Sequence, residues 1–384
     1  MHFAIGRIPL TFALLFLFPI YIAIFHRTIK LNKLIKSLIV LCILVIILVF
    51  NYVFAIKGQQ LNSYFYMVLT IIIAFFINLS IQNDNFSKSF LTVLYVIEIH
   101  AVLSFIFSIF FVEYLQNILL HGEKVYQTFY YIFFYRIETS QVSIYGLNII
   151  RNSGLFWEPG ILQIFLNLLL YIQLFEKRTS SLKIIITLLL IITTYSTTGY
   201  ILMILIMVFK YKSFFSIRNF PYLFLLAIPI IMLLYPIISF HIENKAFGEN
   251  VMSTYVRVFD VLQSVKIISD YPITGIGLSW EVYEKLQLSY KEVLGVISLK
   301  PSGNTNSVLS TMILFGLPVG LLFIMALYRQ ELFTIKNRII IFIILFISLS
   351  SEPLLLRPFF MFIIFNGIVK IFSLPKPSTL RQNT

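Results

Sequence analysis

The sequence predicts an all-α polytopic membrane protein of about 11 transmembrane helices with two larger external loops, and three observations predict it. Hydrophobic residues make up 59% of the 384, charged residues only 12%, and the mean hydropathy is +0.93, so no water-facing surface of a soluble globule could be assembled from this chain. The apolar runs are long enough for helices across a hydrocarbon layer of roughly 30 Å, and they lack the alternating pattern of a membrane β-barrel. Basic residues gather in alternate connections between the runs, as the positive-inside rule requires. The whole chain, 1–384, reads as one integral membrane domain, without a short internal repeat or a low-complexity segment.

The first apolar stretch runs from Arg7 to about Phe25 and has no small-residue cleavage site before Arg27, so it reads as an uncleaved span. One basic residue precedes it, whereas Arg27, Lys30, Lys33 and Lys36 follow it. The N-terminus is therefore expected outside and the next connection in the cytoplasm. Spans follow at about 37–56, 61–81 and 89–112. Residues 113–157 form the first large external loop, and its cluster of Tyr126, Phe129, Tyr130, Tyr131, Phe133, Phe134 and Tyr135 suits a segment lying on the bilayer interface. A span at 159–175 leads back to Glu176, Lys177, Arg178 and Lys183.

Residues 184–209 are apolar except for the hydroxyl-rich run Thr193 to Thr198 and Gly199. One helix of 26 residues would be about 39 Å long and would cross with tilt. A helical hairpin broken at 196–199 would instead keep Lys183 and the group Lys210, Lys212 and Arg218 on the same side. Charge favours the hairpin, which is the reading adopted. A span at 220–240, kinked by Pro221, Pro229 and Pro236, leads to the second large external loop, 241–305. Inside that loop Val258, Val261, Leu262, Val265, Ile267 and Ile268 recur at helical spacing. Asp270-Tyr271-Pro272 ends the helix, and Gly275-Ile276-Gly277 forms a turn. A span at 306–328 and a second short hairpin over 339–372, interrupted at 350–358, complete the chain, with a cytoplasmic C-terminus.

This topology places 17 of the 29 basic residues on the cytoplasmic side, against only Asp84, Glu176 and Glu331, and leaves 12 basic and 13 acidic residues elsewhere. The net charge of +13 is thus a topogenic signal, and no nucleic-acid partner is needed to explain it. Cys42, the only cysteine, lies in an apolar run, so one chain can form neither a disulfide nor a thiol pair for a metal. No HExxH, GxSxG or P-loop occurs, and the histidines have no metal-ligand spacing.

Polar groups on the external face are the candidates for chemistry. Arg151 and Arg257 are natural phosphate ligands, because a guanidinium donates two parallel hydrogen bonds and keeps its charge when partly buried. Glu158, beside an apolar helix, is expected to have a raised pKa and to serve as a general base. Glu352 and Arg357 stand in the last hairpin. The competing reading is structural, with Arg151 paired to Glu158 and Arg357 to Glu352. Glu98 and His100 lie mid-span, where an ionisable group is costly; two residues apart on a helix they face different sides, and a satisfied interior role is the reading adopted.

Several of these pieces, in this order, resemble the bacterial O-antigen polymerase and O-antigen ligase-like membrane glycosyltransferases. They are Arg151-x-Ser153-Gly154-Leu155-Phe156-x-Glu158-Pro159 before a span and the Thr-rich break before Gly199. Arg257 then precedes a helix and Tyr271-Pro272-Ile273-Thr274-Gly275-Ile276-Gly277, and Asn306-Ser307-Val308-Leu309 leads to Phe315-Gly316-Leu317-Pro318-Val319-Gly320. The resemblance covers roughly residues 150–330. It implies a metal-independent, cofactor-free inverting transfer of sugar chains carried on undecaprenyl pyrophosphate, at the periplasmic face of a bacterial inner membrane. It also implies lipid-linked glycans, membrane lipid and a chain-length regulator protein as partners. Arginines in the two large loops are important in that family, and Arg151 and Arg257 are the matching positions. With the candidates read from the residues, the expected catalytic residues are Glu158, Arg151 and Arg257, and the expected substrate-binding residues are Arg151, Arg257, Asn306, Arg357 and Glu352. Ligases commonly carry an essential histidine where this chain has Thr305, which favours the polymerase over the ligase. A lipid-linked sugar flippase is the non-enzymatic alternative, but it would line both leaflets with charge.

Overall fold

The computed structural model describes residues 29–211, 251–293, 303–333 and 337–373, apart from 82, 121–123, 131, 137–140, 145–146 and 178, together with 13–17, 19–20 and 24. The expected span at 220–240, its three prolines, most of the first span and the basic tail lie outside the described residues.

The described chain is mostly helical, and four of its helices are long and apolar enough to cross a membrane. They are α1 (Leu31–Phe54), α2 (Leu61–Ser80), α3 (Asn83–Phe110, apolar over Phe86–Phe110) and α4 (Pro159–Tyr171), which runs on as a π-helical turn over Ile172–Glu176. At 1.5 Å per residue the 24 residues of α1 reach about 36 Å, which exceeds the hydrocarbon thickness. Shorter apolar helices follow: α5 (Ser181–Thr193), α6 (Thr197–Lys210), and, beyond the polar helices α7 (Val251–Asp270) and α8 (Trp280–Val293), α9 (Ser307–Phe315), α10 (Leu317–Arg329), α11 (Arg338–Ser351) and α12 (Pro358–Ile371).

The chain reverses at the hydroxyl run. α5 starts beside the end of α4 and finishes where Thr193 O accepts a hydrogen bond from Asn152 N at 3.0 Å. α6 then returns alongside α4, since Gly199 O accepts from Asn167 Nδ2 at 3.3 Å near its start and Lys210 Nζ donates to Leu174 O at its end. The break suits its residues. Tyr195 takes a φ of 47°, and the Ser196 side chain caps α6 by accepting from Gly199 N at 3.3 Å. The last two helices also reverse, because Glu331 meets Arg338 at the start of α11 and Lys370 at the end of α12.

Two expectations need correction. The span expected at 306–328 is divided into α9 and α10 at Gly316, whose φ of 85° is left-handed. A Cβ there would lie 2.1 Å from Ile273 O, so this glycine is required by close backbone approach. The reason is a pairing of the two loop motifs. Ile276 N donates to Ile313 O at 2.9 Å, Gly277 N to Leu314 O at 3.0 Å, and Leu317 N to Pro272 O at 2.8 Å. Second, the segment 113–157 carries two small antiparallel sheets, β1–β2–β3 (Gln116–Leu120, Lys124–Phe129, Phe133–Arg136) and β4–β5 (Gln141–Ile144, Leu147–Ile150). Part of its aromatic cluster packs inward instead of facing the bilayer surface. Tyr135 is 1% exposed and donates to Ser104 O of α3 at 2.6 Å, whereas Tyr130 remains exposed. Alternating Phe133 and Tyr135 fit a strand against an apolar helix face, a signal hidden by the irregular polarity of the segment.

These reversals sort the polar groups into two ends. At one end lie Lys33, whose Nζ donates to Ile81 O at 2.5 Å, Lys36 with Ser373 Oγ at 3.3 Å, and the Glu331 ion pairs. At the other lie the α1–α2 turn, where Asn51 Nδ2 donates to Thr274 O at 2.6 Å, and the tips of both short hairpins. Between them runs one continuous apolar core, with Leu162, Leu168, Ile344 and Phe365 fully buried.

Candidate functional site

Arg151 enters the structure on an anchored segment. Its neighbour Asn152 donates from Nδ2 to Ala101 O at 3.0 Å and to Thr193 Oγ1 at 3.1 Å, and its Oδ1 accepts from Gly154 N at 3.0 Å. The short polar side chain of Asn152 thus ties the irregular backbone to α3 and to the end of α5. Arg151 itself donates from Nε to Thr194 O at 3.1 Å, which uses one edge of the guanidinium and fixes its plane. Burial pulls this arginine below its ordinary pKa; Tyr200, Glu158 and Glu352 oppose that shift, and Arg257 adds to it.

Glu158 is the half-buried N-cap position of α4, with extended backbone, and Pro159 opens the helix with a fixed φ. Gly160 follows. The carboxylate of Glu352 occupies the space a side chain at 160 would fill, for a Cβ on Gly160 would lie 1.9 Å from Glu352 Oε1. Glu352 is 8% exposed. Its carboxyl is pushed up to a pKa of about 7 by burial and by the neighbouring Glu158, against the pull of Arg257 and Arg151.

The loop that carries Glu352 is held by Ser307. That hydroxyl donates to Glu352 O and accepts from Leu354 N at 2.6 Å and Leu355 N at 3.2 Å. Arg357 lies with its guanidinium 5.9 Å from the ring centroid of Trp157, a cation–π arrangement joining the last hairpin to the Arg151 segment. Asn306 has a structural task, since its Oδ1 caps α9 by accepting from Leu309 N at 3.0 Å.

Arg257 projects from α7 as an exposed residue. One turn on, Asp260 is 1% exposed and accepts from both the backbone N and the Oγ1 of Thr305, each at 3.0 Å. Burial raises the pKa of Asp260; the Thr305 bonds, Arg257 and Lys291 counter it. Asp260 therefore clamps the helix of Arg257 to the turn 304–307, and Ser307 in that turn holds Glu352.

The six residues proposed from the sequence thus converge on one end of the helical assembly. Arg151, Glu158, Glu352 and Arg257 lie within electrostatic reach of one another, and Asn306 and Arg357 stand in the supporting turns. Sequence reasoning missed Asp260 and Ser307 as supports. The signal for Asp260 was its position three residues after Arg257, on the same helical face; nothing local marks Ser307 as the partner of a loop 45 residues away. It also gave no sign that burial raises the pKa of the Glu352 carboxyl. The mid-span pair is separated as expected: buried Glu98 accepts from Thr187 Oγ1 at 2.5 Å, while His100 reaches Ile132 O at 3.4 Å.

No family model matches this sequence, and no curated protein matches it.

Proposed function

We propose that this protein is a membrane-embedded glycosyltransferase that uses a lipid pyrophosphate as leaving group. More particularly, it polymerises undecaprenyl-pyrophosphate-linked oligosaccharide repeat units, of O-antigen or a related surface polysaccharide, at the periplasmic face of a bacterial inner membrane. One observation carries this reading: two arginines from separate segments, Arg151 and Arg257, meet two carboxylates at the end of an apolar helical assembly opposite its basic end.

The chemistry fits that arrangement. A pyrophosphate brings several negative oxygens, and two guanidiniums neutralise the charge that grows on the bridging oxygen as the anomeric carbon departs. The half-buried Arg151 supplies a fixed donor; the exposed Arg257 supplies one reachable from the lipid headgroup level. The acceptor hydroxyl loses its proton as it attacks, and the pair Glu158 and Glu352 provides an acceptor for that proton. Ligase activity is disfavoured by Thr305, whose hydroxyl and amide both bind Asp260.

Deletion of the gene followed by gel analysis of lipopolysaccharide tests the reading. Core carrying a single repeat is the expected product; bare core with polymer retained on the carrier would indicate a ligase, and loss of all exported repeats a flippase. Arg151→Ala and Arg257→Ala are each expected to lower polymer formation by about 10²–10³-fold, the cost of one preorganised donor to a developing charge. Full-length chains from both variants would overturn the pyrophosphate clamp.

A further inference from the structure

The two carboxylates of the site are placed differently, and the difference assigns them different work. Glu158 is half-buried at the N-cap of α4, where the helix dipole favours negative charge. Glu352 is nine-tenths buried, seated on Gly160, and fixed through Ser307 to the start of α9. Among the described residues, the charged groups that act on it belong to the same site: Glu158 and Arg151 from the α4 side, with Tyr200 of α6 acting on Arg151, and Arg257 from α7. Burial, with a second carboxylate beside it, raises the affinity of the Glu352 carboxylate for a proton.

Resting on the glycosyltransferase reading, we infer that Glu352 is the catalytic base that takes the proton of the acceptor hydroxyl, while Glu158, at the mouth of α4, orients the arginines. In the step, the acceptor oxygen forms a bond to the anomeric carbon of the donor chain. The bond from that carbon to the pyrophosphate oxygen breaks, and its electron pair leaves on undecaprenyl pyrophosphate between Arg151 and Arg257. The hydroxyl proton passes to the Glu352 carboxylate and then to water. A carboxyl that titrates at about 7 suits this role, because it is substantially ionised at neutral pH yet has a higher proton affinity than an ordinary glutamate. Arrival of the pyrophosphate draws on the charge of the same arginines, so the midpoint of Glu352 rises in the complex.

The experiment uses the full chain purified into lipid nanodiscs and lipid-linked single repeats extracted from the deletion strain. Wild-type kcat/KM is expected to rise with pH through a midpoint near 7, and kcat through a higher one. Glu352→Gln is expected to lower kcat by on the order of 10²–10⁴-fold and to abolish the pH limb while still binding undecaprenyl pyrophosphate. Glu352→Asp retains a displaced limb, and Glu158→Gln lowers the rate but keeps the limb. A limb that persists in Glu352→Gln, or that vanishes in Glu158→Gln instead, would overturn the assignment and leave the polymerase reading standing. If the wild type forms no polymer, that reading fails by itself. The base is then judged by infrared titration: a carboxylic C=O band absent from Glu352→Gln, which shifts to higher pH when undecaprenyl pyrophosphate is added, supports it, and absence of such a band rejects it.

Discussion

Gly160 and Glu352 share one volume: the carboxylate lies where the glycine lacks a side chain. Helical backbone does not require glycine at this position, so its identity is explained by the neighbour. Gly160→Ala is expected to keep the fold, since alanine favours a helix, yet to push the carboxylate aside by more than an ångström. A displacement of that size costs on the order of 10²-fold in rate. The check is polymer formation beside a thermal unfolding midpoint equal to or above that of the wild type; full activity in Gly160→Ala would mean that the Glu352 carboxylate has no fixed place in the reaction. Residue chemistry was legible in the sequence for the arginines, because a guanidinium beside apolar runs is conspicuous. The role of Glu352 was not, because its burial and its nearness to Glu158 depend on a loop nearly 200 residues further along the chain.

At the level of elements, most helices follow from apolar run length, and the break at 194–196 follows from a hydroxyl run next to a glycine. The division of α9 from α10 is a different case. Phe315-Gly316-Leu317-Pro318 holds a left-handed glycine followed by a proline in the first turn, which is a helix stop and a helix start in succession. The surrounding hydrophobicity masked it, since a window of about 19 residues averages across both helices. The small sheets of 113–157 were hidden for the opposite reason: their strands are too short and too polar to stand out. Gly316→Ala would place a Cβ against Ile273 O and force a left-handed alanine. It is expected to destabilise the protein by about 1–2 kcal/mol or more, from the left-handed backbone alone. It should also loosen the 272–277 turn that packs against it. A lower unfolding midpoint in nanodiscs, with new proteolytic cleavage near residue 275, is the outcome to look for; an unchanged midpoint would mean that the Ile273 carbonyl moves freely.

Across the whole molecule, the two ends differ in kind. Lys33, Lys36, Glu331, Arg338 and Lys370 bond to one another, to backbone carbonyls or to Ser373 at one end, whereas the other end gathers its arginines and carboxylates around irregular backbone. Such backbone is tolerated at membrane depth only where it is buried in protein or lines a wet cavity. α5 and α6, at 13 and 14 residues, reach only about 20 Å each, well short of the 24-residue α1. In the proposed function, a donor whose pyrophosphate sits at the headgroup boundary and whose lipid tail lies in the bilayer would approach this end from the side. In the topology proposed from the charge rule, the basic end faces the cytoplasm and the end that carries the arginines faces out. Cys42 is the only cysteine, so a cysteine-free background needs one substitution, Cys42→Ser. On that background Leu155→Cys, an exposed position beside Arg151, is expected to react with a membrane-impermeant maleimide in cells whose outer membrane is permeable to it. Lys177→Cys, just past the π-helical turn, should react only after the inner membrane is opened. The reverse pattern would invert the protein in its membrane and place the arginines on the side where undecaprenyl-linked repeats are made, which would end the polymerase reading however well the residues fit the chemistry.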